Sequence, residues 1–496
     1  MIATALIAVV LALQYGTVSS KSNCSAAARA ACEELANRFG SSLIVSAAAA
    51  NYSSLSEENW SQTAWHHPTC IALPKSANDI SLLVAHLTIA EVHFAIRSGG
   101  HSPNPFDAAI NDGVLISLDN FDEISYDEKT ELITLGPGAR WDPVYTELDK
   151  YNRTMVGGRV TDVGVGGLTL GSGLSYLTDL YGLVCDNVVS YEIVLADGRI
   201  VEASTTSNPD LFWALKGGTN NYGIVTKFVA KTYPIYNCWG GILLFSGDQL
   251  PAVLQALYMY ETQPNKDPYA NMIINLIPTS NGTTLLTLIY LKPVEQPEAY
   301  APFLTLTPTL SQLGYATLHQ LMNLFPPTDA PRWTWFTQTF KPDAELFGEI
   351  AELYASAPEI ATIGSLTNGS LIAAVQPIAA SAVIASQKSN GGTGDALGLE
   401  AVNQLWWTVT VSWANAADDA TVYAAGASFK NRISGLAEAR NLTLDYIFMN
   451  DANIEQPVIA SYGEANVMRL RSVQKVYDPD LVFQRLVPGG QKIPAQ

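Results

Sequence analysis

The residues best suited to chemistry lie together in the stretch Arg97 to Ser102, Arg-Ser-Gly-Gly-His-Ser, which follows the apolar run Val92 to Ile96. A β-prone run that breaks into two glycines predicts a strand ending in a tight turn. Glycine lets successive backbone N–H groups converge on an anion, and Arg97 and Ser102 offer further donors. His101 then lies at the edge of a phosphate-sized cradle, although a glycine turn followed by a solvated histidine has the same pattern.

A second stretch, Gly157 to Gly173, is unusually dense in glycine. So little side chain argues against an ordinary strand or helix interior and predicts a backbone that lies against something large and flat. A flexible linker is the alternative, but this segment keeps apolar residues such as Val163 and Leu168. It does not fit the Gly-x-Gly-x-x-Gly fingerprint, because no clear strand, turn and helix with a downstream acidic residue frames it.

These two stretches need elements that position them, and hydrophobic periodicity predicts such elements. Strand 70–74, helix 77–90 and strand 92–96 form a βαβ unit that leads into the turn at 97–102. Further strands are predicted at 114–118, 132–135, 188–195 and from 221 onward, and further helices at 26–39, 145–151 and 211–218.

The middle of the chain, residues 236–447, mixes strands with helices and predicts an antiparallel sheet covered by helices. The predicted strands are 272–277, 284–291 and 406–413, and the predicted helices are 253–261 and 418–433. Trp406, Trp407 and Trp413 are interpreted as core residues of a strand, with the lining of a pocket as the alternative.

The charge balance excludes some classes of partner. The 496 residues carry 46 acidic and 27 basic side chains, for a formal net charge of -19. Nucleic acid and anionic membranes need a basic surface, so neither is expected, and small neutral or cationic partners are favoured.

The first residues predict export. Met1 to Leu13 is uncharged and almost wholly apolar, is too short to span a bilayer, and fits a signal peptide over residues 1–20, although a basic n-region is missing. Secretion would make the Asn-x-Ser/Thr sequons glycosylation sites. They begin at Asn23, Asn51, Asn59, Asn152, Asn281, Asn368 and Asn441.

Five cysteines allow several pairings in an oxidising compartment, and we favour Cys32 with Cys70. His66 and His67 lie close to Cys70, but no second pair of ligands follows at a suitable spacing, so no metal site is predicted.

Several motifs in a fixed order resemble one family of flavoproteins. They are Arg97 to Ser102, Val163 to Gly167, Tyr181 to Leu183, Asp186 to Val188, Asp197-Gly198, Asp210 to Gly218, Gly223 to Thr226, Asn450, Ala460 to Gly463, Asn466-Val467 and Tyr477 to Pro479. The chain thereby resembles the berberine-bridge-enzyme-like oxidoreductases, of the vanillyl-alcohol-oxidase type, and among them the fungal members.

The resemblance implies an α+β fold with two domains. A PCMH-type FAD-binding domain is expected over residues 21–235, with its core at about 65–235, and the C-terminal segment 448–496 is expected to return to it. A substrate domain built on an antiparallel sheet is expected over residues 236–447.

FAD is the implied cofactor, with its ring between the two domains, its pyrophosphate on the turn at 97–102 and a covalent bond from His101 to the flavin 8α-methyl. Such a bond makes the flavin a stronger oxidant and prevents its loss. Some members add a cysteinyl bond, but Val160 stands at that position, so a single link is expected. The expected cofactor-binding residues are Arg97, Ser98, Gly99, Gly100, His101, Ser102, Val163, Gly164, Gly167, Gly171, Gly173, Ile224 and Asn450.

The catalytic base is left open between two residues. Many members have a tyrosine near the Asn450 position, where this chain has Phe448 and Asp451. In a strand, Tyr446, Phe448 and Asn450 would share one face and Asp451 would point the other way. Tyr446 or Asp451 is the candidate base, and Asn450 is expected to orient the segment at the flavin.

The expected function is an FAD-dependent oxidase that takes hydride from a small alcohol, sugar or secondary metabolite to flavin N5 and then passes electrons to dioxygen, giving hydrogen peroxide. By the resemblance, valine at position 163 is associated with access of dioxygen. A dehydrogenase with another acceptor, and a flavin-loaded binding protein with little turnover, are the alternatives.

Overall fold

The computed structural model describes the backbone of residues 18–278, 282–324 and 330–495, and side chains from residue 26 onward. The signal peptide predicted for residues 1–20 and the sequons at Asn23 and Asn281 therefore lie outside the described side chains. Within the described ranges, no helix combines the length and the apolar character needed to cross a membrane.

The first layer is a four-stranded sheet in the order β1-β2-β4-β3, in which β2, β4 and β3 are parallel and β1 is antiparallel to β2. Its strands are β1 (Ile44–Ser46), β2 (Cys70–Ala72), β3 (Phe94–Arg97) and β4 (Val114–Ser117), and its helices are α1 (Val18–Phe39), α2 (Tyr52–Ser56) and α3 (Ala77–Ile89). The predicted βαβ unit is present, with β4 lying between its two strands. The favoured Cys32–Cys70 disulfide is confirmed and ties α1 to β2.

The second layer is an antiparallel sheet in the order β5-β6-β10-β8-β9, with β7 also paired to β10. Its strands are β5 (Ile124–Asp127), β6 (Leu132–Leu135), β7 (Thr154–Met155), β8 (Val188–Val194), β9 (Ile200–Ser204) and β10 (Ile224–Tyr233). Its helices are α4 (Trp141–Asp149), α5 (Val165–Leu170), α6 (Thr178–Tyr181) and α7 (Pro209–Ala214). Helix α4 begins at Trp141, earlier than expected, because Trp141 and Val144 already face the core.

The third layer is an eight-stranded antiparallel sheet in the order β14-β11-β13-β12-β16-β17-β15-β18. Its strands are β11 (Asn237–Ser246), β12 (Ala270–Ile277), β13 (Thr283–Tyr290), β14 (Leu310–Thr317), β15 (Arg332–Phe340), β16 (Ser370–Ile378), β17 (Gln404–Trp413) and β18 (Thr443–Leu444). Its helices are α8 (Leu250–Glu261), α9 (Ala301–Leu304), α10 (Leu318–Met322), α11 (Ala344–Ser356), α12 (Pro358–Gly364), α13 (Ala380–Gly392) and α14 (Asp419–Glu438).

The tryptophans of β17 are core residues, as interpreted from the sequence. Trp407 and Trp413 are fully buried beneath α11 and α14, and Trp406 is fully buried on the opposite face of the sheet. Strand alternation places neighbouring side chains on opposite faces, so β17 serves two cores at once.

The last two helices, α15 (Glu464–Tyr477) and α16 (Val482–Arg485), return to the first two layers. Phe483 of α16 is buried in the core of the first sheet, edge-on to Phe94 of β3, and Leu470 of α15 is buried in the core beneath the second sheet. The two ends of the chain thus build one hydrophobic core between them.

Candidate functional site

A cavity of about 360 Å³ opens where the turn after β3, the glycine segment, the start of β10 and the segment 448–451 meet. Most of the cofactor-binding residues expected from the sequence line it. They are Ser98, Gly99, Gly100, His101, Ser102, Val163, Gly164, Gly167, Gly171, Ile224 and Asn450. Arg97 and Gly173 are not among the lining residues.

The prediction that Arg97 donates to an anion in the turn is wrong. Its guanidinium is 1% exposed and donates to the Leu55 carbonyl at 2.5 Å and to Glu58 Oε2 at 2.5 Å, with Asp119 Oδ2 at 3.5 Å. A buried cation is stable only when it is paired, and these acceptors pair it within the protein. Arg97 therefore holds the strand end in place.

The serine hydroxyls of the turn are also engaged. Ser98 Oγ donates to the Pro137 carbonyl, and Ser102 Oγ donates to Asp107 Oδ2 at 2.7 Å. The backbone N–H groups of the turn are therefore the donors left for an anion. The positive φ of 61° at Gly100 bends the backbone there, which lets neighbouring N–H groups converge.

The turn and the glycine segment touch backbone to backbone. A Cβ added to Gly164 would lie 2.5 Å from the Cα of Gly99, and one added to Gly166 would lie 2.6 Å from Ser98 Oγ. Gly167 is different, because apart from its chain neighbours and the backbone of its own helix no atom lies within 4 Å of the place where its Cβ would be. The open side of Gly167 faces the cavity, so the wall there is bare backbone.

The glycine segment includes the six-residue helix α5, contrary to the expectation that so much glycine would prevent a helix. Glycine costs about 1 kcal/mol per residue in a helix interior, but tertiary packing overrides that preference. Here only a residue without a side chain allows the close approach to Ser98 and Gly99.

Asn450 fastens the C-terminal end of α5. Its Oδ1 accepts a hydrogen bond from the Gly173 N–H at 3.1 Å, and its Nδ2 donates to the carbonyls of Gly167 and Leu168, each at 3.3 Å. A Cβ on Gly171 would lie 2.5 Å from Asn450 Nδ2. Gly173, though absent from the cavity wall, therefore belongs to this clamp.

His101 is held by an aromatic stack that the sequence did not indicate. Its ring lies parallel to Trp60, with centroids 4.5 Å apart, and Trp60 stacks in turn on Trp333 at 5.0 Å. The backbone N–H of Trp60 also donates to the Gly100 carbonyl at 3.0 Å. Burial lowers the pKa of His101 to about 4, with the carboxylate of Asp162 acting in the opposite direction, so the imidazole is neutral at neutral pH.

A polar group around Asp451 also borders the cavity. Asp451 Oδ2 accepts from Gln376 Nε2 of β16 at 2.8 Å and from Thr408 Oγ1 of β17 at 3.0 Å. The other end of the Gln376 amide accepts from Arg159 Nη2. Burial raises the pKa of Asp451, although Arg159 and the two donors favour its ionised form.

Tyr446 does not reach the cavity. It is 3% exposed, packs against Trp406 with centroids 5.1 Å apart, and its hydroxyl lies 3.3 Å from Ser172 Oγ. Burial also raises the pKa of this hydroxyl well above its ordinary value. The structure therefore separates the two candidate bases and brings only Asp451 to the cavity.

The segment around Asn450 is not a strand, so the strand alternation considered for residues 446–451 does not apply. β18 ends at Leu444, and Met449–Asp451 is a turn of 3-10 helix. Because such a turn rotates each residue by about a third of a circle, side chains that alternate in a strand can share one side. Phe448, Asn450 and Asp451 accordingly all line the cavity.

Comparisons with known proteins agree with this geometry. A family model described as FAD binding domain matches residues 68–204. An FAD-dependent monooxygenase of Arthrobotrys oligospora is 37% identical over 449 residues, covering 88% of this chain and 85% of that protein. The bifunctional solanapyrone synthase of Alternaria solani is 35% identical over 450 residues, covering 89% of this chain and 85% of that protein.

Among solved structures, the glucooligosaccharide oxidase of Acremonium strictum superposes with a TM-score of 0.77 at 21% identity, covering 95% of this chain and all of that one. That oxidase carries a 6-S-cysteinyl, 8α-N1-histidyl FAD. At that identity the likeness concerns the fold.

Proposed function

Since this chain belongs to the berberine-bridge-enzyme-like FAD-dependent oxidoreductases, we propose that it is an oxidase that removes a hydride from a C–H bond of a small organic substrate and delivers the electrons to dioxygen. The observation that carries the proposal is a single cavity lined both by bare glycine backbone and by Asp451, whose carboxylate accepts hydrogen bonds from Gln376 and Thr408.

The residues present fit FAD. The turn at 98–102 and the open face at Gly167 leave room for a flat ring against backbone, and Asn450 keeps α5 in place behind it. When bound, FAD supplies a two-electron acceptor that dioxygen can reoxidise. His101, neutral and fixed by Trp60, is the residue we assign to a single covalent link.

In this proposal Asp451 is the catalytic base. A base must be ionised and within reach of the O–H or N–H proton that leaves as the adjoining C–H bond breaks. Gln376 and Thr408 keep one carboxylate oxygen occupied, so its orientation is fixed. A matched test compares Asp451→Asn with Asp445→Asn, since Asp445 is exposed and absent from the cavity.

Val163 and Val160 are assigned to the handling of dioxygen and of the flavin link. Both line the cavity, and Val160 is 51% exposed. A small side chain at Val163 leaves dioxygen a route to the ring, and valine at Val160 cannot form a second covalent bond.

A second candidate function is monooxygenation, because the curated relatives at 37% and 33% identity carry that name. The two functions differ in the fate of oxygen. An oxidase releases one hydrogen peroxide per substrate oxidised and leaves no label from ¹⁸O₂ in the product, whereas a monooxygenase incorporates one labelled atom.

The first experiment is a visible spectrum of the purified protein before and after acid precipitation, followed by anaerobic mixing with alcohols, sugars and polyketide-like compounds. Yellow colour in the pellet and bleaching by a substrate support the proposal. A colourless protein, or a flavin that no substrate bleaches, contradicts it, the latter favouring a binding protein with little turnover.

We also propose a division of the chain into two domains. Residues 21–235 and 448–496 would form the FAD-binding domain and 236–447 the substrate domain, which is supported by the confinement of the third sheet to β11–β18 and by the packing of α16 on the first sheet. Secretion through residues 1–20 is tested by the N-terminus of the protein recovered from culture medium.

A further inference from the structure

Arg159 is a cation inside the cavity with most of its donors unused. Its guanidinium carbon lies 5.8 Å from the ring centroid of Tyr176, and one N–H donates to Gln376 Oε1. Within the described residues, Arg159 forms no ion pair with a carboxylate within 4.0 Å, and Gln376 Oε1 is its one hydrogen-bond acceptor. A guanidinium has five N–H donors, so the other N–H groups of Arg159 are left for a ligand in the cavity that this residue lines.

The surroundings make this arrangement costly unless a ligand completes it. A partly buried charge without an ion-pair partner is destabilising, and burial lowers the pKa of Arg159 while Tyr176 and Asp451 act against that effect. Gln376 keeps Asp451 from pairing with Arg159 directly, because its amide stands between the two groups. The positive charge therefore stays available.

The cavity contains a positive charge, that of Arg159, although the net charge of the whole chain is negative. The net charge of -19 favours neutral or cationic partners, yet the cavity holds Arg159 on one side of Gln376 and Asp451 on the other. Because the protein as a whole is negatively charged, an anionic ligand would be held by direct hydrogen bonds to Arg159 and not by long-range electrostatic attraction.

We propose that Arg159 is a substrate-binding residue and that the substrate carries a negatively charged oxygen, either a carboxylate or the anion of an acidic hydroxyl. The planar guanidinium matches such an oxygen through two parallel N–H donors. Gln376 is a positioning residue that fixes both Arg159 and Asp451, so that the anion is bound at one end of the group and the proton is removed at the other. This inference rests on the proposed function, since it names the class of substrate for the same site.

The experiment titrates the flavin-loaded protein with benzoate and with its neutral isostere benzamide, and follows the absorbance of the bound flavin and the Tm. We expect benzoate to bind and benzamide to bind at least tenfold more weakly. Arg159→Gln should weaken benzoate by about 10- to 100-fold, the effect of losing hydrogen bonds to a charged group. Arg159→Lys should recover part of that loss.

Two controls keep the outcome specific. Arg199→Gln removes an exposed arginine paired with Asp197 and should leave benzoate binding unchanged. Asp451→Asn should bind benzoate at least as tightly as the natural protein, because it removes a negative charge from the cavity. The flavin content of each variant is measured first, so that loss of cofactor is not counted as loss of binding.

To separate the carboxylate from the acidic hydroxyl, the same titration uses 4-nitrophenolate. Equal binding of benzoate and benzamide, or unchanged benzoate binding in Arg159→Gln, overturns the inference while leaving the proposed function intact. A flavin that responds to benzoate through Arg159 but is bleached by no substrate overturns the proposed function and retains the anion site.

Discussion

Trp60 lies parallel to His101, with ring centroids 4.5 Å apart and planes inclined by 8°. This stacking contact holds the plane of the His101 imidazole. The turn at Gly100 sets where the backbone of His101 lies. Stacked aromatic pairs contribute about 0.5–1.5 kcal/mol beyond their buried area, and the neighbouring rings also exclude water.

If His101 bonds to the flavin, Trp60→Ala should slow formation of the bond by roughly two- to tenfold, as expected from the loss of that pair. Trp60→Phe should retain most of the rate. The measurement is the fraction of flavin that stays with the acid-precipitated protein over time after the apoprotein is mixed with FAD. His101→Ala, which cannot form the bond, is the negative control. A rate of bond formation in Trp60→Ala equal to that of the natural protein contradicts the role of the stack.

A paired substitution separates fold from cofactor binding in the glycine segment. Gly164→Ala would place a Cβ 2.5 Å from the Cα of Gly99, so the two backbones must separate and stability should fall. A Cβ at Gly167, which lies inside α5, meets no atom within 4 Å outside its chain neighbours and the backbone of its own helix. In the flavin-free protein, alanine there should leave the free energy of unfolding unchanged or raise it by up to about 1 kcal/mol. The FAD content of the protein produced with its cofactor should fall. Normal FAD content in Gly167→Ala would show that the open face is not the cofactor wall.

Removal of the Asn450 clamp should loosen the end of α5. Asn450→Ala leaves the Gly173 N–H and the carbonyls of Gly167 and Leu168 without this partner, and an unmet buried donor costs about 1–3 kcal/mol. We expect a lower Tm and a smaller fraction of flavin that stays with the acid-precipitated protein. Asn466→Ala, a change on α15 that removes one bond to the Tyr462 carbonyl, is the matched amide control.

The pH dependence of turnover should report Asp451. Burial raises the pKa of this carboxyl, and a base acts only when ionised, so kcat/KM should fall as the pH drops through a pKa above the ordinary aspartate range. Thr408→Val removes one hydrogen-bond donor to the ionised Asp451 carboxylate. The pH at which kcat/KM falls on the acid side should therefore rise by about one to two pH units. Thr410→Val, on the same strand and away from the cavity, should not move it.

Local pattern was sufficient for the elements that carry the turn. The strand, helix and strand up to Arg97 follow from hydrophobic periodicity. The glycines predicted room for a ligand beside the backbone, but not that Gly99 and Gly164 pack against each other. The disulfide between Cys32 and Cys70 was likewise within reach of sequence reasoning. The strands and the helix depend on neighbours close in sequence. The disulfide depends on cysteine, a residue type with few common roles in an oxidising compartment.

The residues that sequence reasoning missed act across long separations. Trp60 reaches His101, and Arg159 reaches Gln376, only through contacts that the folded sheets create. Strand alternation along β16 and β17 could have placed Gln376 and Thr408 on one face, but nothing in the pattern says what that face meets. Arg97 was misassigned because a basic residue at a turn does not reveal which way its side chain points.

The return of the C-terminal residues to the first layers sets an order of events during biosynthesis. Gly490 and Gln491 line the cavity, and Phe483 completes the core beneath β3. A nascent chain that has emerged only as far as β17 therefore lacks one wall of the cofactor site, however well its glycine segment has folded. Cofactor uptake must therefore wait until α16 and the residues after it have folded onto the first layers, and a chain truncated before α16 should yield a polypeptide that retains no flavin.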